Sequence, residues 1–147
     1  MAQAPFSASV SAWVKKTEAR MEAVRKESVQ RTVETMQTPR AAGGNLRVDT
    51  GFLRASLVAS VGASVPALVA KPDGATRFSY DAGQISLVIS GSTIKDPITV
   101  AYAANYARPR EYGSRGQPGD RWVGLAAQQW PRIVSEVAKE AQARAGG

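Results

Sequence analysis

Between residues 7 and 36 the apolar side chains Val10, Trp13, Val14, Met21, Val24, Val33 and Met36 recur at mostly helical intervals, with no Gly or Pro among them. That spacing predicts one long amphipathic helix. At 1.5 Å per residue it would run about 40 Å, longer than a body of this size needs for its own core. Part of it is therefore expected to pack on a neighbour. The stretch 38–45, with Pro39, Gly43 and Gly44, breaks the helix, and residues 37–48 are expected to form a flexible loop. A period of two then takes over. Residues 57–61 read as a first strand and 76–80 as a weaker one. The clearest strand is 84–90, where Ile85, Leu87 and Ile89 face one side, and 97–102 returns as its partner. Short connections predict antiparallel, meander-like pairing. From Asp120, read as an N-cap, Val123, Ala127, Trp130, Val134, Val137 and Ala141 follow at steps of four and three. This is a helical stripe, in which Pro131 either makes a kink or stands in the first turn of a second helix. Residues 143–147 are expected to fray. The expected fold is α+β and a single domain over residues 1–147: a long N-terminal helix, a small antiparallel sheet of about four strands, and a C-terminal helix packed on the sheet.

Composition narrows the chemistry. The chain has no Cys and no His, so disulfides and thiolates are absent, as are the usual neutral-pH general base and the commonest metal ligand. No cofactor is expected. No apolar run approaches the roughly 20 residues that span a bilayer, and the N-terminus lacks the pattern of a secretory signal, so a soluble chain with no membrane partner is expected. Net charge is +7, from 19 Lys and Arg against 12 Asp and Glu. In the first helix the cations alternate with Glu18, Glu22, Glu27 and Glu34, as on a solvated face with local ion pairs. The excess lies in two loop regions, Arg40, Arg47 and Arg54 in one and Arg108, Arg110, Arg115 and Arg121 in the other. A pI of about 10.1 invites a nucleic-acid reading, but basic loops on a compact body suit a partner or a channel wall better than a groove-reading helix.

Catalytic patterns are weak. Ser92 and Lys95 have the Ser-x-x-Lys spacing of penicillin-binding enzymes, but in an expected loop between two strands and without that family's companion motifs. No phosphate-binding Gly-rich motif occurs. Glu111, beside Arg108 and Arg110, has no His or paired acid and reads as an ion-pair or subunit contact rather than a base. Trp13, Trp122 and Trp130 read as core or interface anchors. The reading is therefore not an enzyme. Two segments stand out as contact surfaces: 48–57, where Asp49 or Thr50 can cap a turn eased by Gly51, and 102–114, rich in Tyr and Arg.

Three pieces in this order, Asp49-Thr50-Gly51-Phe52-Leu53-Arg54-Ala55-Ser56, then Tyr102-Ala103 through Glu111-Tyr112-Gly113-Ser114, then a closing helix through Leu125 and Ala126, resemble the tail-completion, or neck, proteins of long-tailed bacteriophages. The sequence departs from that pattern where Ala107-Arg108-Pro109-Arg110 lengthens the step before Glu111, and where Trp122-Val123-Gly124 replaces the Pro-Phe-Leu expected before the last helix. The resemblance implies an α+β structural virion protein of the neck, assembled in the bacterial cytoplasm. It would form a homo-oligomeric ring, a hexamer, that completes the tail. The ring would join connector or stopper proteins on the head side to tail terminator or tail-tube proteins, with the double-stranded genome passing through its lumen. On this reading Thr50, Gly51, Leu53, Arg54, Tyr102, Tyr106, Glu111, Tyr112 and Gly113 are interface candidates, with Arg54 and Glu111 in one shared contact. Arg40, Arg47, Arg108, Arg110 and Arg115 are candidates for DNA or lumen contact. The competing expectation is a small basic nucleic-acid-binding protein acting outside a virion.

Overall fold

A helix of 32 residues, α1 (Phe6–Gln37), is the longest element in the computed structural model, which describes residues 6–74 and 76–144. At 1.5 Å per residue it spans about 48 Å. It ends where Pro39 makes a further helical turn unfavourable, because Pro lacks the N–H and restricts the residue before it. A short 3-10 turn (Arg40–Ala42) follows. The segment expected to be a flexible loop is closed by backbone bonds from Arg40 N to Leu46 O and from Gly44 N to Pro39 O, at 2.9 Å each. Leu46 is fully buried and anchors it to the core.

Next come α2 (Phe52–Ala55) and β1 (Leu57–Val61). After an irregular excursion the chain forms α3 (Ala82–Gly91), then β2 (Ile98–Tyr102) and α4 (Ala107–Tyr112). Two short strands, β3 (Gly113–Ser114) and β4 (Gln117–Pro118), lead to α5 (Trp122–Gln128) and α6 (Trp130–Arg144). Pro131 stands in the first turn of α6, so the second of the two alternatives for the C-terminal stripe holds. Residues 145–147 of the expected frayed tail lie outside the described residues.

The α+β class stands, but the sheet differs. Segment 84–90 is helical, not a strand. Ile85 and Ile89 are buried one turn apart, while Leu87 is 75% exposed, so helical spacing governs. The Asp81 side chain accepts from Gln84 N at 3.2 Å and caps the first turn. Segment 76–80, expected as a weaker strand, belongs to no strand. The described strands form two antiparallel pairs, β1 with β2 and β3 with β4. In the first, Leu57 lies opposite Tyr102 and Val61 opposite Ile98, so the partner strands are separated by the whole α3 region rather than by a tight turn. α5 and α6 lie along α1, and the contact with the sheet comes through Trp122, whose ring meets Tyr102 edge-on at 5.3 Å. The C-terminal helix is thus held mainly by the first helix.

The core gathers Val33 and Met36 of α1 with Leu46, Phe52, Leu53, Leu57, Ile85, Ile89, Trp122 and Ala126. All α1 members of this core lie in its C-terminal half. From Ser9 to Lys16 every residue of α1 is exposed, and Trp13 is 67% exposed.

Candidate functional site

The two contact segments meet around the short helix α2. Gly51 precedes it at φ 88°, and a Cβ there would lie 2.7 Å from the Phe78 carbonyl oxygen. Only glycine satisfies both the left-handed backbone and that approach. Thr50 Oγ1 accepts from Phe52 N at 3.3 Å, so Thr50 supplies the turn's side-chain bond. Phe52 then packs edge-on against Phe78 at 5.0 Å and tilted against Tyr106 at 6.1 Å, which joins the first segment to the second.

Arg54 and Glu111, expected in one shared contact, hold different parts of the subunit. Arg54 Nε donates to the backbone oxygen of Gln37 at 2.9 Å, and its guanidinium sits over the Tyr80 ring at 5.2 Å. Gln37, at the end of α1 and only 3% exposed, returns a bond from Nε2 to Arg54 O at 2.9 Å and accepts from the Tyr102 hydroxyl at 2.6 Å. Burial pushes the Tyr102 phenol well above its ordinary value, and burial also raises Tyr80 and Tyr106. Sequence reading passed over Gln37. Its one signal was a polar residue where an apolar helix stripe was about to end.

Glu111 is 6% exposed, and its two carboxylate oxygens accept from Val123 N at 3.0 Å and Gly124 N at 2.8 Å. These are first-turn amides of α5, with no partner inside that helix. A carboxylate there satisfies two donors and lies favourably in the helix dipole. Glu111 therefore caps α5 from a distance of twelve residues. The N-cap position belongs to Arg121 at φ 54°, without a side-chain cap bond, so Asp120 is not the cap. The approach is tight: a Cβ on Gly119 would lie 2.1 Å from the Glu111 carbonyl oxygen.

Asp120 has another role. Its side chain is 5% exposed, and Oδ1 receives Arg40 at 3.1 Å and Arg47 at 3.0 Å. These two candidates for DNA contact thus tie the 37–48 loop to the start of α5. Oδ2 of Asp120 is buried with no hydrogen-bond donor. Arg108 and Arg121 flank the Tyr112 ring at 5.9 and 5.2 Å. Arg115 is exposed in the turn between β3 and β4, at φ 50°.

Of the interface candidates, Gly51, Leu53 and Glu111 are buried and Tyr102 faces inward, so they shape the site rather than present it. Tyr112 is exposed, and Thr50, Arg54, Tyr106 and Gly113 are half-buried. Thr50, Gly51, Leu53, Arg54 and Tyr106 line one open cleft of about 430 Å³, together with Arg47, Asp49, Lys71, Asn105 and Arg110. A smaller one of about 280 Å³ adjoins it through Arg47, Tyr106 and Arg110 and reaches Asp120 and Gln117. Lys71 and Asn105 were not anticipated. They come from distant chain segments that the tertiary pairing of Val69 with Ala104 brings together.

Elsewhere, the Ser92 hydroxyl donates to Ile89 O at 2.7 Å and closes the end of α3. Among the described residues, no group of three or more acidic, His or Cys side chains could hold a metal ion, and no helix is long and apolar enough to cross a membrane. A larger apolar trough of about 970 Å³ lies between α1 and α6, lined by Met21, Val24, Ile94, Trp130, Val134 and Ala138 among others. The chain matches no family model, no curated protein and no solved structure.

Proposed function

We propose that this chain is a structural assembly subunit, and that its assembly is the ring of a phage neck joining tail to capsid connector. The observation that carries the assembly reading is the N-terminal half of α1. Among the described residues Val10, Trp13, Val14 and Met21 are 42%, 67%, 40% and 55% exposed on a helical stretch. A row of apolar side chains at helical spacing, left in water, marks a surface that another protein covers. The trough beside α6 continues that surface through Met21. A closed head-to-tail ring needs a second, different surface per subunit, and the Tyr/Arg segment with its exposed Tyr112 supplies one.

The neck assignment rests on the ordered motifs around Gly51, Tyr102 to Ser114 and the closing helix. Their placement supports it in one respect: the first two pack against each other through Phe52 and Tyr106 and so form one feature of the fold. In this reading the protein acts as an architectural element, without catalysis or cofactor. The exposed cations Arg108 and Arg115 contact genomic DNA by charge alone, because phosphate contacts carry no sequence information.

The assembly reading is tested by native mass spectrometry of the purified chain with and without Trp13→Glu. Closed oligomers are expected, and the variant is expected to stay monomeric. A wild-type chain that remains monomeric at all concentrations, alone and with connector or tail proteins, overturns it. The neck reading is tested in a phage carrying the gene: particles made without it should show separate heads and tails, and normal infectious particles would refute it.

A further inference from the structure

We infer that the cationic cleft between α2 and α4 is a docking site for an acidic peptide segment of another protein, with Arg110 as its principal anchor. The inference stands independently of the assembly reading. Arg47, Arg54, Lys71 and Arg110 line the cleft, where the one lining carboxylate is Asp49, so the lining is cationic. Two of these cations have work inside the subunit: Arg54 holds Gln37 and Arg47 holds Asp120. Arg110 differs. It is exposed, and among the described residues its guanidinium makes no hydrogen bond or ion pair, although it sits where the larger and smaller clefts join. A guanidinium presents a planar fork of donors that matches a carboxylate in two parallel bonds.

The shape of the cleft favours a peptide over duplex nucleic acid. The cleft is concave and its floor includes Leu53, Ala70 and Tyr106, which gives a narrow, partly apolar slot. A rigid duplex presents a convex surface too broad to enter it. A flexible peptide can enter the slot and set a carboxylate against the Arg110 fork.

Fluorescence anisotropy with the full chain, using a short labelled peptide of alternating Glu and Ser, tests this. The peptide is expected to bind, and Arg110→Ala to weaken binding about tenfold, the loss that about 1.4 kcal/mol represents for a truncated Arg anchor. Arg77→Ala removes the same charge from an exposed site outside the cleft, so it should change binding less than about twofold, since an exposed charge at a distance is largely screened. Circular dichroism should show both variants folded, because neither side chain is buried. No binding, or an equal loss in the two variants, overturns the proposal. Tighter binding of a single-stranded oligothymidine of matched charge would overturn it in favour of a phosphate site.

Discussion

The two halves of α1 share one unbroken backbone and little else. The C-terminal half sends Ser28, Val33, Met36 and Gln37 into the interior, each below 8% exposure. The N-terminal half leaves Val10, Trp13, Val14 and Met21 in solvent at comparable apolar spacing. One half owes its helical state to tertiary packing. The other continues the helix on local propensity and a stripe left exposed among the described residues, and isolated helices of such length are marginal in water. The difference shows that helical periodicity reports a surface to be buried without saying in which molecule.

The same substitution made in both halves gives the largest contrast. Met36→Ala should destabilise the folded chain by about 2–5 kcal/mol, the range for truncating a buried Met, whereas Met21→Ala should stay within about 0.5 kcal/mol in chemical denaturation. Equal losses would mean that the exposed half already packs on something in solution. Next in size is Glu111→Ala, which uncaps α5, one of the helices that hold the core half of α1 in place. Two amides lose a charged acceptor, so a loss of about 2 kcal/mol is expected by thermal or urea unfolding, with Glu111→Gln recovering part of it.

A smaller effect comes from pH. The Tyr102 phenol, bonded to Gln37 at the buried end of α1, is raised above its ordinary value of 10 by burial. A raised folded-state value means that this stabilisation is complete below about pH 10 and is lost as pH rises above it, because the unfolded phenol ionises first. Denaturation midpoints measured through that window should fall, and Tyr102→Phe should flatten the slope while lowering stability at neutral pH. The smallest expected change is in the exposed ion pair of Arg31 with Glu140, at 2.5 Å, which joins α1 to α6. Glu140→Gln should leave the unfolding midpoint unchanged within error, since solvent screens such pairs. A clear drop would show that the α1–α6 contact depends on charge.

Much of the fold was legible because its signals are local. An uninterrupted run from residue 7 to 36, then Pro39 and two glycines, marks a helix and its end in any context. β1 and β2 were legible as strands, though not their pairing with each other. Segment 84–90 was misread because Ile85, Leu87 and Ile89 satisfy a period of two while Ile85, Val88 and Ile89 satisfy a helix. The deciding sign was Asp81 three residues before Gln84, the spacing of a capping box. At the site, the Gly51 turn was visible in composition, whereas its packing on the Tyr/Arg segment through Phe52 and Tyr106 was not. The cap on α5 was not, because its acceptor comes from Glu111 while the residue beside the helix, Asp120, reads as a better cap and instead collects Arg40 and Arg47.

The sequence by itself determined the α+β class, the long first helix, the bend that only Gly51 permits, and a surplus of positive charge in loops, all of which follow from chain geometry and side-chain chemistry within a few residues. Only the tertiary structure decided which half of that helix is core, that Gln37 binds both Arg54 and Tyr102, and that Arg110 is left facing an open cleft. Those outcomes depend on groups far apart in the chain competing for the same donors, acceptors and buried volume, and that competition is settled only when they meet.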